Sequence, residues 1–212
     1  MGSVLIGYAT RTGAARDVAE EVAGVLRAVG HDVRLANLEQ QPPIDGADLV
    51  VVGSGINASA FYPEATAWLK ANQAELKATA VAVFNTCLNA ADPEKRDAAL
   101  AYNDGAVTRC GAKASATFGG RYVPAKVGWF SKLFAKATGQ KAQDHVDAAA
   151  AKAGARDLLP LLVRSKACPL TGRVSAAPRS LEAALRTHLR PTPRGGLRPA
   201  RGDGRIVRMD LT

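Results

Sequence analysis

Cysteine is scarce in this chain: Cys87, Cys110 and Cys168 are the only three in 212 residues. The number is odd, the spacings are unrelated and no CxxC pair occurs. A zinc ribbon and a thioredoxin-type motif are thereby excluded, and a reduced, cytoplasmic protein is the expectation. Histidine is equally sparse. His31, His145 and His188 stand apart, with no pair at metal-ligand spacing and no Ser-His-Asp set, so no metal site and no catalytic residue is assigned. No apolar run approaches the ~20 residues of a membrane span. Val4 to Tyr8 is too short for the apolar region of a secretory signal. Aromatic residues make up 5% of the chain, which limits the stacking faces open to a planar ligand. Neither GxGxxG nor GK[ST] occurs, so the dinucleotide fingerprint and the Walker loop are both excluded.

The formal charge of +9 is confined to one end. Residues 1–150 carry 15 Lys+Arg against 15 Asp+Glu, whereas residues 151–212 carry 13 against 4. The larger part is neutral, and no specific nucleic-acid partner is expected for it. A two-part organisation follows: a globular domain over 1–150 and an Ala/Arg/Pro/Gly-rich basic tail over 151–212, poorly ordered or weakly helical. Only Leu158 to Val163 and Leu181 to Leu189 could pack within the tail. Its composition fits a disordered segment with affinity for polyanions. A shifted reading frame in a GC-rich gene, which would produce the same Ala/Arg/Pro/Gly bias, is the explanation favoured over it.

Within 1–150, short apolar runs alternate with helical patterns. Ser3 to Ala9, Asp48 to Gly53, Thr79 to Phe84 and Ala114 to Phe118 read as buried strands, and Val33 to Asn37 as an alternating edge strand. Between the first two strands, Val18, Val22, Val25, Leu26 and Val29 recur at spacings of three and four, the apolar stripe of a helix over 14–29 that Gly30 ends. Pro63 opens a second helix, and Asp92-Pro93-Glu94 starts a third that runs towards Tyr102. Alternating strands and helices predict an α/β fold built on a doubly wound parallel sheet. Ligands of such sheets bind beyond the carboxyl ends of the strands. Three loops fall there: 9–15, 54–62 and 85–91.

The first of these carries the strongest signal. Thr10-Arg11-Thr12-Gly13-Ala14-Ala15 joins a buried strand to a helix N-terminus. Unpaired amides and the positive end of the helix dipole make that an anion site, and phosphate is its usual guest. An ordinary strand-to-helix turn capped by the two hydroxyls is the alternative.

Thr10-x-Thr12-Gly13-x-Ala15 resembles the phosphate loop of the flavodoxin-like family, with Ala15 where that pattern has a hydroxyl. The resemblance implies a three-layer α/β/α sandwich with five parallel strands in the order 2-1-3-4-5, and flavin mononucleotide (FMN) as cofactor. It implies cofactor contacts from Thr10, Arg11, Thr12, Gly13, Ala14 and Ala15 at the phosphate. Around the ring it implies Ser54, Gly55, Ile56, Asn57 and Phe61, together with Asn85, Thr86, Cys87, Leu88, Asn89 and Gly120. Phe61 and Tyr62 are the aromatic candidates of the second loop, and Phe61 could equally belong to the core. Cys87 lacks a nearby base and is read as space-filling rather than nucleophilic.

The chain resembles more narrowly the flavodoxin-type, quinone-dependent protoporphyrinogen dehydrogenase group. The likeness lies in Thr10-Arg11-x-Gly13, Val52-Gly53-x-x-Ile56, Pro93-Glu94-Lys95-Arg96, Gly119-Gly120-Arg121-Tyr122 and the aromatic-basic run Gly128 to Lys136. It implies an FMN-dependent oxidoreductase of heme biosynthesis that oxidises a porphyrinogen and passes electrons to a quinone. Arg121, Lys126 and Lys132 are its candidates for substrate carboxylates. Residues 126–138 place Val127, Phe130, Leu133, Phe134 and Ala137 on one helical face, which fits either a peripheral membrane contact or packing on the sheet. A flavodoxin-type electron carrier between partner proteins is the alternative function, and a flavodoxin fold without cofactor is a third.

Overall fold

The computed structural model describes residues 1–123, 142–165 and 207–208. Lys126, Lys132, the 126–138 face and most of the basic tail lie outside the described residues. Its middle layer is a parallel sheet of β1 (Ser3–Ala9), β2 (Asp32–Asn37), β3 (Leu49–Asn57), β4 (Ala80–Cys87) and β5 (Ala114–Gly119). Their order is β2-β1-β3-β4-β5, the order expected. Every neighbouring pair is parallel, with Val4 beside both Val33 and Leu49. A further two-residue strand, Val207–Arg208, pairs with the outer edge of β5 at Ala114 and Ser115.

Because successive side chains of a strand point to opposite faces, the apolar strands build two cores. Val4 and Ile6 of β1, Val51 of β3 and Phe84 of β4 face one side. There they meet Val18, Val22 and Leu26 of α1 (Ala14–Ala28). Leu5, Val50, Val52, Val81 and Val83 face the other side. That face is covered by Trp68 and Leu69 of α2 (Pro63–Ala71), Leu76 of α3 (Gln73–Ala78) and Val107. The last helps to place α4 (Arg96–Ala101) and α5 (Asp104–Cys110), which form the connection from β4 to β5. Trp68 is fully buried, and its indole N–H donates to the Pro42 carbonyl at 2.8 Å, so the burial leaves no polar group stranded.

Four features differ from the sequence expectation. Val29 stands 54% exposed, because α1 ends at Ala28 and Gly30 turns the chain away with φ 88°. The loop expected over 54–62 is largely strand: β3 continues to Asn57 and folds back as a hairpin. Asp92 caps a short 3₁₀ turn, Pro93–Lys95, before α4 begins. Finally, α6 (Ala148–Asp157) runs through the boundary drawn at 150, and α7 (Leu159–Ser165) follows it. Ala151, Ala155, Leu158 and Leu162 are buried in the same core as α1. Asp147 caps α6 through the amides of Ala149 and Ala150, and Lys152 pairs with Glu21 of α1 at 3.3 Å. The start of the segment read as tail is thus part of the domain. No helix among the described residues is long and apolar enough to cross a membrane.

Candidate functional site

A cleft of about 290 Å³ opens beyond the carboxyl ends of β1, β3, β4 and β5, near the lower end of the size range of ligand sites. All three sequence-selected loops reach it. Thr10 and Thr12 line it from the first, Gly55 and Ile56 from the second, and Thr86 to Asn89 from the third. Gly120, Arg121 and Tyr122 close it from the segment after β5.

The first loop turns the chain from β1 into α1. Gly13 sits at the N-cap of α1 with φ 95°, a conformation open to glycine, and its amide donates to Thr10 Oγ1 at 2.9 Å. The α1 dipole therefore begins at the cleft wall. Ala14 and Ala15 do not line the cleft: their methyl groups are buried. A hydroxyl at 15 would thus enter the core that receives Val18. Arg11 also turns away. Its guanidinium makes a two-pronged ion pair with Glu64 in the first turn of α2 and lies 4.7 Å over the Tyr62 ring.

Tyr62 is accordingly clamped. Arg11 covers one side of its ring, and a Cβ on Gly55 would come within 2.5 Å of the ring atoms, so only glycine permits this approach. Burial opposes the charge on Glu64, but hydrogen bonds from Arg11 and its own amide hold its carboxyl below the usual range. A depressed folded-state pKa stabilises above the unfolded value and is lost as pH falls through the folded one. The Glu64→Gln variant is therefore expected to melt below the wild type at neutral pH, by no more than about 1 kcal/mol for this part-exposed pair. The gap should begin to close as pH falls below about 4.3, the unfolded value, and vanish once pH has passed below the depressed folded one. A gap that persists in acid would show that the pair is not its source.

The second loop is the hairpin. Ile56 pairs with Phe61 and Asn57 with Ala60, while Ala58 and Ser59 hold positive φ of 48° and 61° between them, as in a type I′ turn. Ser54 is fully buried and does not line the cleft. Its hydroxyl donates to the Gly55 carbonyl at 2.7 Å and accepts from the Tyr62 amide at 3.0 Å, which ties the two hairpin arms together. Phe61 is buried in the core with Trp68, so the core alternative holds for it, and the exposed Asn57 lies outside the cleft lining.

In the third loop, Asn85 is turned inwards and serves the fold. Its side chain bonds Asn103, the Ala99 carbonyl and Thr117, all beneath the cleft floor. Cys87 does line the cleft, and burial pushes its thiol above the ordinary value, as a space-filling rather than nucleophilic role requires. Asn89 reaches the Tyr102 hydroxyl at 3.3 Å.

After β5, Arg121–Tyr122 pairs with Gln143–Asp144 in a short antiparallel ribbon. The Gly120 amide donates to the Cys87 carbonyl at 2.9 Å, and a Cβ at Gly120 would come within 2.8 Å of the Cys87 backbone. Arg121 is not free: it pairs with Asp17 and with Asp144, both at 2.8 Å. Three tyrosines face the cleft. Tyr62 adjoins the selected Phe61, and Tyr122 adjoins the selected Arg121. Tyr102 comes from the end of α4, and nothing in its local sequence marks it. The Tyr122 hydroxyl is buried and has no hydrogen-bond partner among the described residues.

A doubly wound sheet in this strand order, with a glycine turn from the first strand into α1, defines the flavodoxin-like class of α/β proteins. The chain belongs to the flavodoxin domain family, whose match spans residues 5–148. Among solved structures, rubredoxin oxygen:oxidoreductase from Desulfovibrio gigas is similar with a TM-score of 0.56 at 16% identity, over 79% of this chain and 38% of that one. This chain thus spans well under half of that protein. Flavodoxin 2 from Bacillus cereus gives a TM-score of 0.43 at 21% identity, over 64% of this chain and 99% of that one. Fusobacterium nucleatum flavodoxin bound to flavin mononucleotide gives 0.32 at 16% identity, over 41% and 52%. A comparison with curated protein sequences finds no match.

Proposed function

We propose that the cleft holds FMN and that the protein is a flavin-dependent redox protein exchanging electrons with a partner. The observation that carries this is the convergence, in one cleft of a flavodoxin-family fold, of the Thr10–Gly13 turn, the Thr86 to Asn89 and Gly120 to Tyr122 segments, and the rings of Tyr62, Tyr102 and Tyr122. These residues fit a flavin. The turn and the α1 N-terminus suit a phosphate. The rings of Tyr62, Tyr102 and Tyr122 all line the cleft and supply aromatic surface for a planar group. The buried Tyr122 hydroxyl has no partner among the described residues, and a ligand in the cleft would supply one. When bound, FMN supplies one- and two-electron chemistry; the protein's part is to position it and set its electrostatic surroundings.

The finer alternative is oxidation of protoporphyrinogen with a quinone as acceptor. It rests on the Gly119 to Tyr122 sequence and on basic residues outside the described part. Arg121, the member of that set among the described residues, lies against the first loop and pairs with Asp17 and Asp144, while Lys126 and Lys132 lie outside the described residues.

Titrating the full chain with FMN and desalting it tests the proposal. Absorbance bands near ~370 and ~450 nm are expected to stay with the protein. Thr12→Ala should weaken binding by about 10–100-fold, the worth of one hydrogen bond to a charged group. A colourless wild-type protein would overturn the assignment. Anaerobic addition of protoporphyrinogen to the loaded protein then separates the two functions: bleaching of the flavin band supports the enzyme, and an unchanged spectrum supports the carrier.

A further inference from the structure

We infer that Arg121 is the residue that makes this cleft select a phosphorylated flavin, a role for which the sequence offered only substrate binding. The inference rests on the proposal that the cleft holds FMN. It begins with the charges around the first loop. Arg11 is committed to Glu64 and Tyr62. Arg16 lies on α1 between Asp17 and Glu20, at 3.3 and 3.5 Å. Arg121 comes from the far end of the sheet and lies on the loop itself. Its Nη1 is 3.4 Å from the Thr12 carbonyl and would be 3.2 Å from a Cβ on Gly13.

The same Nη1 is 2.8 Å from Asp17 Oδ2, and Nε is 2.8 Å from Asp144 Oδ2. Asp17 stands in the first turn of α1, and its other carboxylate oxygen would be 4.0 Å from a Gly13 Cβ. An acid there suits the helix dipole but opposes a second anion at the same turn. Arg121 resolves the conflict: it offsets Asp17 and brings a fork of N–H donors to the loop edge, where a phosphate can share them. Asp144 holds the guanidinium from the opposite side, so its position is set before a ligand arrives. The arrangement also supplies what Ala15 cannot. The position that carries a hydroxyl in the resembling pattern is buried here, and the charge-assisted donor comes instead from Arg121, more than a hundred residues away.

Arg121 is a binding and specificity residue, so the readout is the affinity of two flavins that differ by the phosphate. The full-length wild type, Arg121→Gln, Arg121→Lys and Asp144→Asn are titrated with FMN and with riboflavin, followed by flavin fluorescence. Arg121→Gln is expected to lose about 10–100-fold in FMN affinity, the range of one charge-assisted hydrogen bond. Its riboflavin affinity should change by less than ~3-fold, because no charged bond is lost. Arg121→Lys should recover part of the FMN loss, and Asp144→Asn, which leaves the cation in place, should keep the preference for FMN. Equal losses for both flavins in Arg121→Gln would reduce Arg121 to a structural strap and overturn the inference, as would no loss at all. Should Arg121→Gln fail to fold, the wild type decides: its FMN-to-riboflavin ratio is expected to fall as salt rises from ~0.05 to ~0.5 M. A ratio near one at low salt would overturn the inference. If the wild type binds neither flavin, the proposed cofactor is itself wrong. Tight riboflavin binding without a preference for FMN would spare the flavin site and remove only the role of Arg121.

Discussion

Asn103→Ala is expected to destabilise the domain by about 3–5 kcal/mol, with its urea midpoint falling accordingly. Asn103 is fully buried, and its amide group makes three hydrogen bonds. Its Nδ2 donates to Ser115 Oγ at 2.9 Å and to the Ala116 carbonyl at 2.8 Å, and its Oδ1 accepts from Asn85 Nδ2 at 2.9 Å. Asn85 in turn holds the Ala99 carbonyl and accepts from Thr117 Oγ1. One side chain thus ties the α4–α5 connection to β4 and β5. Truncating it strands several buried groups, each of which costs about 1–3 kcal/mol, and leaves a cavity as well. Because β4 leads directly into the Cys87 to Asn89 wall of the cleft, flavin affinity should fall together with stability. A loss below about 1 kcal/mol would mean that water or a neighbour replaces these bonds without difficulty.

Gly119→Ala should damage both fold and site by another route. A Cβ there would lie 1.9 Å from the His145 carbonyl oxygen and 2.8 Å from its carbon. Both are backbone atoms, so no side-chain rotation relieves the overlap. The segment that must move also donates the His145 amide to Gly120 and carries Asp144, the partner of Arg121. A cost of about 3 kcal/mol or more is expected, with at least ~10-fold weaker FMN binding through the displaced ribbon. Gly24→Ala is the matched control. Gly24 lies in α1 with nothing within 4 Å of its would-be Cβ, so alanine there should stabilise by about 0.5–1 kcal/mol. Thermal melts of both variants check the contrast, and a Gly119→Ala protein as stable as Gly24→Ala would refute it.

The central strands were legible because burial on both faces demands unbroken apolar runs, and Val50-Val51-Val52 cannot be mistaken for a helix face. The turn into α1 was legible for a similar reason: Gly13 following Thr10 and Thr12 marks where a strand gives way to a helix, and its φ is 95°. The hairpin was not, because Ala58 and Ser59 adopt left-handed backbone without the Asn-Gly or Asp-Gly that usually announces it. Helix α6 was hidden by its composition, since it packs Ala151, Gly154 and Ala155 against α1 and has no large apolar stripe to betray it. Asn85 looked like a ligand residue because it ends a strand at the cleft. Its true partners, Asn103 and Thr117, lie 18 and 32 residues away, a distance that only the folded chain closes. Tyr102 and the Arg121 bridge to Asp17 belong to the same class of long-range fact.

The packing of α6 on α1 has a consequence for how the chain is made. Helix α1 ends at Ala28 and α6 starts at Ala148. During synthesis, the outer flank of α1 therefore waits for its cover while some ~120 further residues are added, about 6–24 s at ordinary ribosomal rates. The inner flank fares better, because β1 finds β2 and β3 early and the first half of the sheet can close around it. A nascent chain of this protein thus passes through a stage in which half a sheet carries an incompletely covered helix. That is the interval in which a chaperone would have a surface to hold, and it ends only when a short, alanine-rich segment emerges and docks.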